Sequence, residues 1–280
     1  MGDELEQKRH ALEQRLRECG RTLVAYSGGI DSAYLAFVAS RVLGSGMLAV
    51  LADSPSLARS QYADALAFAE EQHIPLRVVQ TSEMENPEYV RNSADRCFHC
   101  KDELFSVMER LAEAEAFATI AYGMNCDDRG DFRPGQRAAR NHGVAAPLVD
   151  AGLGKAEVRE LARRAGLRVW EKPASACLSS RIEYGRPVTA ENLAAVEGAE
   201  ELLRELGFRI YRVRHHGEIS RIEVAREEMP ALLAPEMVDR VIAGIKALGF
   251  KFVTIDLEGY RSGSMNTVLP VSELMAAGKR

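Results

Sequence analysis

Apolar residues in the first half of the chain fall into two patterns that alternate along the sequence. Short continuous apolar runs are typical of buried strands, and apolar residues spaced three or four apart are typical of amphipathic helices. The predicted strands lie at residues 22–26, 47–53, 75–80, 117–122 and 144–149. Helical stretches separate them, and strands that alternate with helices form a parallel sheet. The pattern therefore predicts an α/β fold in which a parallel sheet carries helices on both faces.

A second pattern begins after residue 189. It predicts helices at 191–206 and 235–248 and strands at 208–214, 219–225 and 250–257, which form a smaller α/β domain. The stretch just before it has neither helical nor strand periodicity. We therefore predict a first domain at 1–170, a linker loop at 171–189 and a C-terminal domain at 190–280.

Composition excludes several classes of protein. Hydrophobic residues make up 46% and charged residues 28% of 280 positions, as in ordinary globular chains. The apolar runs are too short to span a bilayer, and residues 1–19 lack the apolar core of a signal peptide. We therefore expect a cytoplasmic protein with no membrane partner. The net charge of −5 is unfavourable for a large nucleic-acid surface, so no nucleic-acid partner is expected.

The first predicted strand ends in a glycine turn with the sequence Ser27-Gly28-Gly29-Ile30-Asp31-Ser32, and a helix follows it. Glycines let the backbone approach a ligand closely, and the first N–H groups of a helix bind anions. The turn lacks the lysine of a Walker loop. It resembles the pyrophosphate loop of the PP-loop ATP pyrophosphatases, the adenine nucleotide alpha hydrolase-like fold. That resemblance implies ATP cleaved between its α- and β-phosphates; the alternative is an ordinary turn.

Polar residues follow two other predicted strands. Asp53 and Ser54 end the second strand, where a parallel sheet binds its ligands, and they are candidates to line an adenosine site. A second candidate loop contains Gly123, Asn125 and the carboxylates Asp127 and Asp128, one of which would hold Mg²⁺. The alternative is that both groups are plain turn and cap residues. Asp31 is likewise either a metal-facing group or a helix cap.

Five cysteines, an odd number, favour thiol or metal chemistry over a set of disulfides. Cys97 and Cys100 form a Cys-x-x-Cys pair just before a helix predicted at 102–116. Such a pair binds a metal, with His99 as a further ligand for zinc, or acts as a redox dithiol. The remaining alternative is two buried thiols of no chemical role.

Cys177 lies in the irregular stretch 170–185 among small residues. Long irregular segments in compact chains are often functional, although this one also suits a linker. Ser179, Ser180 and Arg181 could donate to its thiolate and lower the pKa of the thiol. Ser180 and Arg181 are also candidates to bind substrate.

Arg212 and Arg214 share one face of the first strand predicted in the C-terminal domain. Two arginines side by side suit a phosphate or a carboxylate. The alternative is a solvated face on which they pair with Glu218 or Glu223.

Three further segments carry a more specific resemblance. Cys-Phe-His-Cys-Lys, Lys-Pro-Ala-Ser-Ala-Cys-Leu-Ser-Ser-Arg-Ile and Asp-Leu-Glu-Gly-Tyr-Arg-Ser-Gly-Ser-Met-Asn together resemble the LarE family, in order and over nearly the whole chain. The resemblance implies a sulfur transferase that uses ATP and Mg²⁺ in the synthesis of the nickel-pincer nucleotide of lactate racemase. Its substrate would be a pyridinium-3,5-dicarboxylate mononucleotide, and its assembly a homo-oligomer, a hexamer in the family.

The resemblance leaves the sulfur source open. In single-cysteine members, the residue matching Cys177 gives up its own sulfur and becomes dehydroalanine. The additional Cys97 and Cys100 resemble the pattern of iron–sulfur thiolases, which implies a [4Fe-4S] cluster on these three cysteines. Competing functions are a PP-loop tRNA thiolase, an amide-forming PP-loop synthetase that uses ammonia, and a nucleotide or metal sensor without catalytic activity.

Overall fold

The computed structural model describes residues 2–129, 134–173, 176–261 and 263–265. These residues divide into two compact units, one made of 2–83 with 97–173 and the other of 84–96 with 176–265. The sequence-based boundaries assign 84–96 to the first domain, whereas the structure groups this segment with the second unit. In the described part of the chain, no helix combines the length and apolar character needed to cross a membrane.

The helices, in chain order, are α1 (Gly2–Cys19), α2 (Ile30–Leu43), α3 (Arg59–Glu71), α4 (Pro87–Val90), α5 (Arg96–Glu115), α6 (Pro134–Asn141), α7 (Pro147–Asp150), α8 (Lys155–Arg164), α9 (Ala190–Glu205), α10 (Met229–Leu232) and α11 (Pro235–Ala247). The strands are β1 (Thr22–Ala25), β2 (Met47–Asp53), β3 (Leu76–Gln80), β4 (Thr119–Tyr122), β5 (Tyr211–His216), β6 (Ile219–Val224) and β7 (Phe252–Ile255).

The first unit contains a parallel sheet with the strand order β3-β2-β1-β4. Side chains alternate between its two faces, as the pleat requires. Val24 packs in a core with Leu35 of α2, whereas the adjacent Leu23 packs in a separate core with Phe105 of α5. Helices therefore cover both faces, and the predicted fold class is confirmed.

The strand order also indicates where a ligand binds. The chain proceeds from β1 outward to β2 and β3, then returns to add β4 on the other side of β1. In open parallel sheets, ligands bind at the carboxyl ends of the strands at such a reversal. A ligand site is therefore expected at the segments that follow β1 and β4.

Two predicted elements are wrong. The strand expected at 144–149 is reduced to one bridge between Ala145 and Ala121, and Pro147 instead starts α7. Proline is favoured in the first turn of a helix, where its missing N–H has no partner to lose. The helix expected from residue 102 begins at Arg96, so Cys97 and Cys100 lie inside α5 rather than in a loop before it.

The second unit contains the mixed sheet β5-β6-β7, in which β5 and β6 are antiparallel and β6 and β7 are parallel. Its core is formed by apolar side chains of the sheet and of α9 and α11, including Leu203, Val213, Ile222 and Ile245. The smaller α/β domain is thus present, although its first strand begins at Tyr211 rather than at residue 208.

Asn92 is the centre of a buried network in the second unit. Its backbone has a φ of +57°, and its side-chain amide donates to the carbonyls of Ile182 (3.3 Å), Glu183 (2.9 Å) and Arg186 (2.9 Å). Asparagine tolerates this left-handed conformation better than most residues. The network fastens the segment after α4 to the chain that follows the Cys177 loop.

Replacing Asn92 with alanine is expected to lower the free energy of unfolding by about 3 kcal/mol, because buried carbonyls lose their donors and alanine is disfavoured at positive φ. Urea denaturation measures this. Asn192→Ala is the matched control, since its amide donates one exposed bond, to the Pro187 carbonyl (3.1 Å), and its removal should cost less than about 1 kcal/mol. Equal midpoints for the two variants would contradict the role of the network.

Candidate functional site

The turn after β1 brings together the predicted phosphate-loop residues. Gly28 has a φ of +70°, and Gly29 precedes the first residue of α2 without a side chain to cap it. Ser32 Oγ receives the backbone N–H of Ser27 (3.1 Å) and donates to the Gly29 carbonyl (3.0 Å). The predicted strand, turn and helix start are confirmed, and the first N–H groups of α2 are of the kind that bind anions.

Gly28 also packs tightly against α3. A Cβ at this position would lie 2.8 Å from the Cβ of Ala65, and the Tyr26 hydroxyl donates to the Ala65 carbonyl at 2.9 Å. Burial raises the pKa of this Tyr26 hydroxyl above its usual range, so the hydroxyl stays protonated to still higher pH than an exposed tyrosine. The loop is therefore held against α3 on both sides of Ser27.

Asp31 lies in the first turn of α2 and does not cap it. Its Oδ2 accepts a hydrogen bond from the ammonium of Lys155, the first residue of α8. Its Oδ1 is buried and has no hydrogen-bond partner. A buried carboxylate oxygen without a donor is unfavourable unless a ligand or cation satisfies it, so Asp31 fits the metal-facing alternative.

Gly123, at the end of β4, packs against the start of α2. A Cβ there would lie 2.6 Å from the backbone N of Ser32 and 2.9 Å from the carbonyl carbon of Asp31. These neighbours are backbone atoms and cannot rotate away. Glycine is thus required at position 123 for the close approach of the loop after β4 to the glycine turn after β1.

Gly123→Ala is accordingly expected to displace the phosphate loop and weaken ATP binding by about tenfold or more, since shifts of an ångström at a site have effects of this size. Equilibrium dialysis with ATP measures the dissociation constant. Gly46→Ala is the control, because its added Cβ would meet only the Cβ of Leu43 at an ordinary 3.7 Å. Wild-type ATP affinity in the Gly123 variant would show that the two loops are not coupled.

Asn125 and the two carboxylates after it form a capping box in a short 3₁₀ turn. The Asn125 side chain accepts from the N–H of Asp127 (2.9 Å), and Asp128 Oδ2 accepts from the N–H of Asn125 (3.2 Å). Asp127 Oδ2 accepts from the backbone N–H of Lys155 (2.7 Å). The turn therefore joins the end of β4 to the start of α8.

Asp53 and Ser54 lie at the end of β2 in a hydrogen-bonded turn. Arg59 donates to Asp53 Oδ1 at 2.6 Å and holds the pKa of this carboxyl below its usual range. Ser54 Oγ donates to the buried carboxylate of Glu83 and accepts from the Ser56 N–H at 3.0 Å. Glu83 was not predicted, since nothing in the local sequence marks it.

Cys97 and Cys100 are half-buried and lie one turn apart in the first part of α5. Residues three apart project from the same helix face, so the two thiols are neighbours. In the described part of the chain, no group of three or more His, Cys, Asp or Glu side chains is gathered as in a metal site.

Cys177 belongs to the second unit and is half-buried just before a 3₁₀ turn at Leu178–Arg181. Ser180 Oγ and Arg181 Nη1 donate to its carbonyl oxygen at 2.7 and 2.9 Å. The Ser179 hydroxyl bonds that of Tyr89 at 2.6 Å. Ser180 and Arg181 thus hold the backbone of the Cys177 loop and Ser179 bonds Tyr89, whereas the sequence predicted donation to the thiolate.

Two buried arginines near this loop have carboxylate partners. Arg181 makes a two-pronged pair with Glu200, at 2.9 and 3.1 Å, and Arg214 Nη2 lies 2.7 Å from Oε2 of Glu223, whose side chain is 0% exposed. Arg214 Nε is buried without a hydrogen-bond partner. The pairing of Arg214 with Glu223 is the alternative predicted for this strand face.

Arg212 lies near these two arginines, and Arg181, Arg212 and Arg214 are called the arginine cluster below. Its guanidinium lies 5.2 Å from the ring centre of Tyr260. Burial, and then the positive charge of Arg181, lower the pKa of Arg212 below its usual range. Glu200 and Glu223 already offset the charges of Arg181 and Arg214. The lowered pKa of Arg212 indicates that positive charge remains in excess around it, which favours a bound anion.

The parallel sheet, its strand order and the glycine turn after β1 define an α/β domain of the PP-loop class of nucleotide-binding proteins. No protein-family model matches the chain. Over 268 residues it is 35% identical to the pyridinium-3,5-bisthiocarboxylic acid mononucleotide synthase, LarE, of Lactiplantibacillus plantarum, which covers 95% of this chain and 96% of that protein. The chain belongs to the LarE family.

Two other relatives extend this comparison. An uncharacterised protein of Synechocystis sp. is 42% identical over 265 residues, 95% of this chain and 99% of that protein. One component of the glutamine-hydrolyzing GMP synthase of Methanopyrus kandleri is 29% identical over 171 residues, 56% of this chain and 54% of that protein. The relatives with a named activity are enzymes, which supports an enzymatic function here.

Proposed function

We propose that this protein is an ATP-dependent sulfurtransferase that converts the carboxylates of pyridinium-3,5-dicarboxylate mononucleotide into thiocarboxylates, for the nickel-pincer cofactor of lactate racemase. The observation that carries the proposal is the 35% identity, over 95% of this chain, to a synthase whose name states the bisthiocarboxylic acid product. The phosphate loop and the arginine cluster supply the two binding functions that such a reaction needs.

The ATP half of the reaction is assigned to the first unit. A carboxylate is a poor electrophile, so the substrate carboxylate attacks the α-phosphate, an acyl-adenylate forms and pyrophosphate leaves. The loop from Ser27 to Ser32 binds the β- and γ-phosphates, and the adenosine lies against residues at the ends of β2 and β4. The latter are Asp53, Ser54, Gly123, Asn125 and Asp128.

Asp31, with its unpartnered Oδ1, is the residue that would hold Mg²⁺, and Asp128 is the second candidate. When bound, the ion supplies positive charge to the departing pyrophosphate. The backbone N–H groups at the start of α2 act on the same charge and need no metal to do so.

The substrate half is assigned to the second unit. Arg212 and Arg214, with Arg181 and Ser180, bind the phosphate of the pyridinium nucleotide. The lowered pKa of Arg212 supports this, because burial and the positive charge of Arg181 disfavour its cationic form and a bound anion would favour that form. The buried Nε of Arg214, which has no hydrogen-bond partner, is a further donor that a phosphate oxygen could accept from. The family also suggests assembly as a homo-oligomer.

Cys177 is the proposed origin of sulfur. Its thiolate attacks the acyl carbon, AMP leaves with the bonding electrons, and a thioester forms. Loss of the proton from Cα then breaks the Cβ–S bond, which leaves the thiocarboxylate on the substrate and dehydroalanine in the chain. Alternatively, Cys97, Cys100 and Cys177 hold a [4Fe-4S] cluster that supplies exchangeable sulfide, which the one-turn spacing of Cys97 and Cys100 on α5 suits.

The proposal is tested by incubating the protein, purified without oxygen, with ATP, Mg²⁺ and the pyridinium dicarboxylate nucleotide. Pyrophosphate release that depends on this substrate, together with a thiocarboxylate product by mass spectrometry, is expected. Pyrophosphate release with an amide formed from added ammonia would favour the synthetase alternative. Dependence on tRNA, with a gel shift of tRNA by the protein, would favour the thiolase alternative.

A further inference from the structure

The phosphate loop itself lacks a basic side chain, yet a triphosphate carries several negative charges. The residues from Ser27 to Ser32 offer backbone N–H groups and hydroxyls, and the charged member among them is the acidic Asp31. A Walker loop solves this problem with a lysine in the loop. In this chain, a lysine reaches the loop from another element, since Lys155 donates to Asp31 Oδ2 from 124 residues away in sequence.

We propose that Lys155 is the phosphate-binding lysine of this site: Asp31 holds its ammonium until ATP binds, and the ammonium then moves to the outer phosphates. The inference rests on the proposed function, because it requires ATP to bind at the loop.

The backbone of Lys155 is held by hydrogen bonds, whereas its side chain is partly exposed. It is the first residue of α8, and its backbone N–H donates to Asp127 Oδ2 at 2.7 Å. The Gly154 N–H before it donates to Glu157 Oε2 at 2.9 Å. The first bond ties the start of α8 to the turn after β4, and the second caps α8 itself, while 38% of the Lys155 side chain remains exposed. Its four-carbon stem allows the ammonium to change direction.

The two carboxylate oxygens of Asp31 differ in their contacts, which allows Asp31 to exchange Lys155 for a cation. Lys155 occupies one of its oxygens, and the other is buried and unpartnered. A divalent cation that arrives with ATP competes for this carboxylate, because Mg²⁺ prefers carboxylate oxygens. The Lys155 ammonium therefore loses its carboxylate partner when phosphate oxygens become available beside it. Its positive charge is paired with an anion both before and after ATP binds.

The test measures binding rather than turnover, with Mg²⁺–ATP and AMP as probes in isothermal titration calorimetry. Lys155→Ala is expected to weaken ATP binding by about 10- to 100-fold, the value of a charge-assisted hydrogen bond, and to leave AMP binding within about twofold. Lys155→Arg should retain most of the ATP affinity. The control is Lys8→Ala, which removes a lysine that pairs with Glu157 of the same helix at 2.6 Å.

A second arm tests the exchange itself. In Asp31→Asn the ammonium loses its anionic competitor, so ATP affinity in EDTA should equal or exceed that of the wild type, while its enhancement by Mg²⁺ should disappear. Weaker ATP binding in EDTA would overturn the exchange.

The outcomes separate this inference from the function on which it rests. Wild-type protein that binds no ATP would remove the proposed function. Wild-type protein that binds ATP, with Lys155→Ala unchanged, would remove only the role of Lys155. An equal loss of ATP and AMP binding in Lys155→Ala would indicate a structural role and would also overturn the inference.

Discussion

Cys177→Ala is expected to abolish thiocarboxylate formation, by at least about 10³-fold, while exchange of radiolabelled pyrophosphate into ATP continues in the presence of substrate. The adenylation step uses the phosphate loop and does not need a thiol, whereas the second step has no nucleophile once the sulfur is removed. Product is measured by mass spectrometry, and exchange by the label recovered in ATP.

Cys19→Ala is the matched control for this variant. Burial raises the pKa of the Cys19 thiol above its usual range, which makes it a poor nucleophile at neutral pH, and its removal should leave both steps unchanged. If Cys177→Ala still forms the thiocarboxylate, the sulfur comes from elsewhere and the assignment of Cys177 fails.

The intact mass of the wild-type protein after turnover then distinguishes the two sulfur sources. Conversion of Cys177 to dehydroalanine removes H₂S, a loss of about 34 Da, and limits each chain to one transfer. Repeated turnover at constant protein mass, together with bound iron and sulfide that disappear in Cys97→Ser, would instead favour the cluster.

Arg212→Ala is expected to raise the KM for the pyridinium nucleotide by about 10- to 100-fold, with a smaller change in kcat, because a guanidinium contact to phosphate is lost in the ground state and the transition state alike. Steady-state kinetics with saturating ATP measure the two constants separately. The KM for ATP should stay constant, since ATP is assigned to the other unit.

Arg212 is a better test of the arginine cluster than Arg214. Removing Arg214 takes away the partner at 2.7 Å from the Glu223 carboxylate, which has 0% side-chain exposure, and leaves Arg221 at 3.1 Å from its other oxygen. Loss of such a buried, charge-assisted hydrogen bond costs about 1.5–3 kcal/mol of stability. A rise in KM in that variant would therefore mix binding with unfolding. If Arg212→Ala keeps the wild-type KM while urea denaturation shows an intact fold, the cluster does not bind the substrate phosphate.

The phosphate loop is predictable from sequence because its geometry is local. Ser27 and Ser32 are five residues apart and bond to each other, and Gly28 supplies the positive φ that the turn requires. The close approach of Gly123 to this loop is different. A glycine at a strand end is visible in the sequence, but its distance from Ser32 is set by the pairing of β1 with β4.

Other features depend on contacts that are distant in sequence. Lys155 lies in an ordinary helix start, and its contact with Asp31 follows only from the docking of α8. The early start of α5 has a similar cause, because Arg96 donates to the Ser179 carbonyl at 2.8 Å and such tertiary contacts override weak local propensity. The strand prediction at 144–149 was wrong because a short apolar segment suits a strand and a buried helix equally well.

The packing of Gly28 against Ala65 links two positions that no motif connects. The Ala65 methyl group lies only 2.8 Å from where a Cβ at Gly28 would be, so we expect a valine or leucine at position 65 to press against the glycine turn and displace it. Selection among random variants should therefore deplete large residues at position 65 as strongly as it depletes changes in the glycine turn. In a set of natural sequences, positions 28 and 65 should either both be invariant or change together.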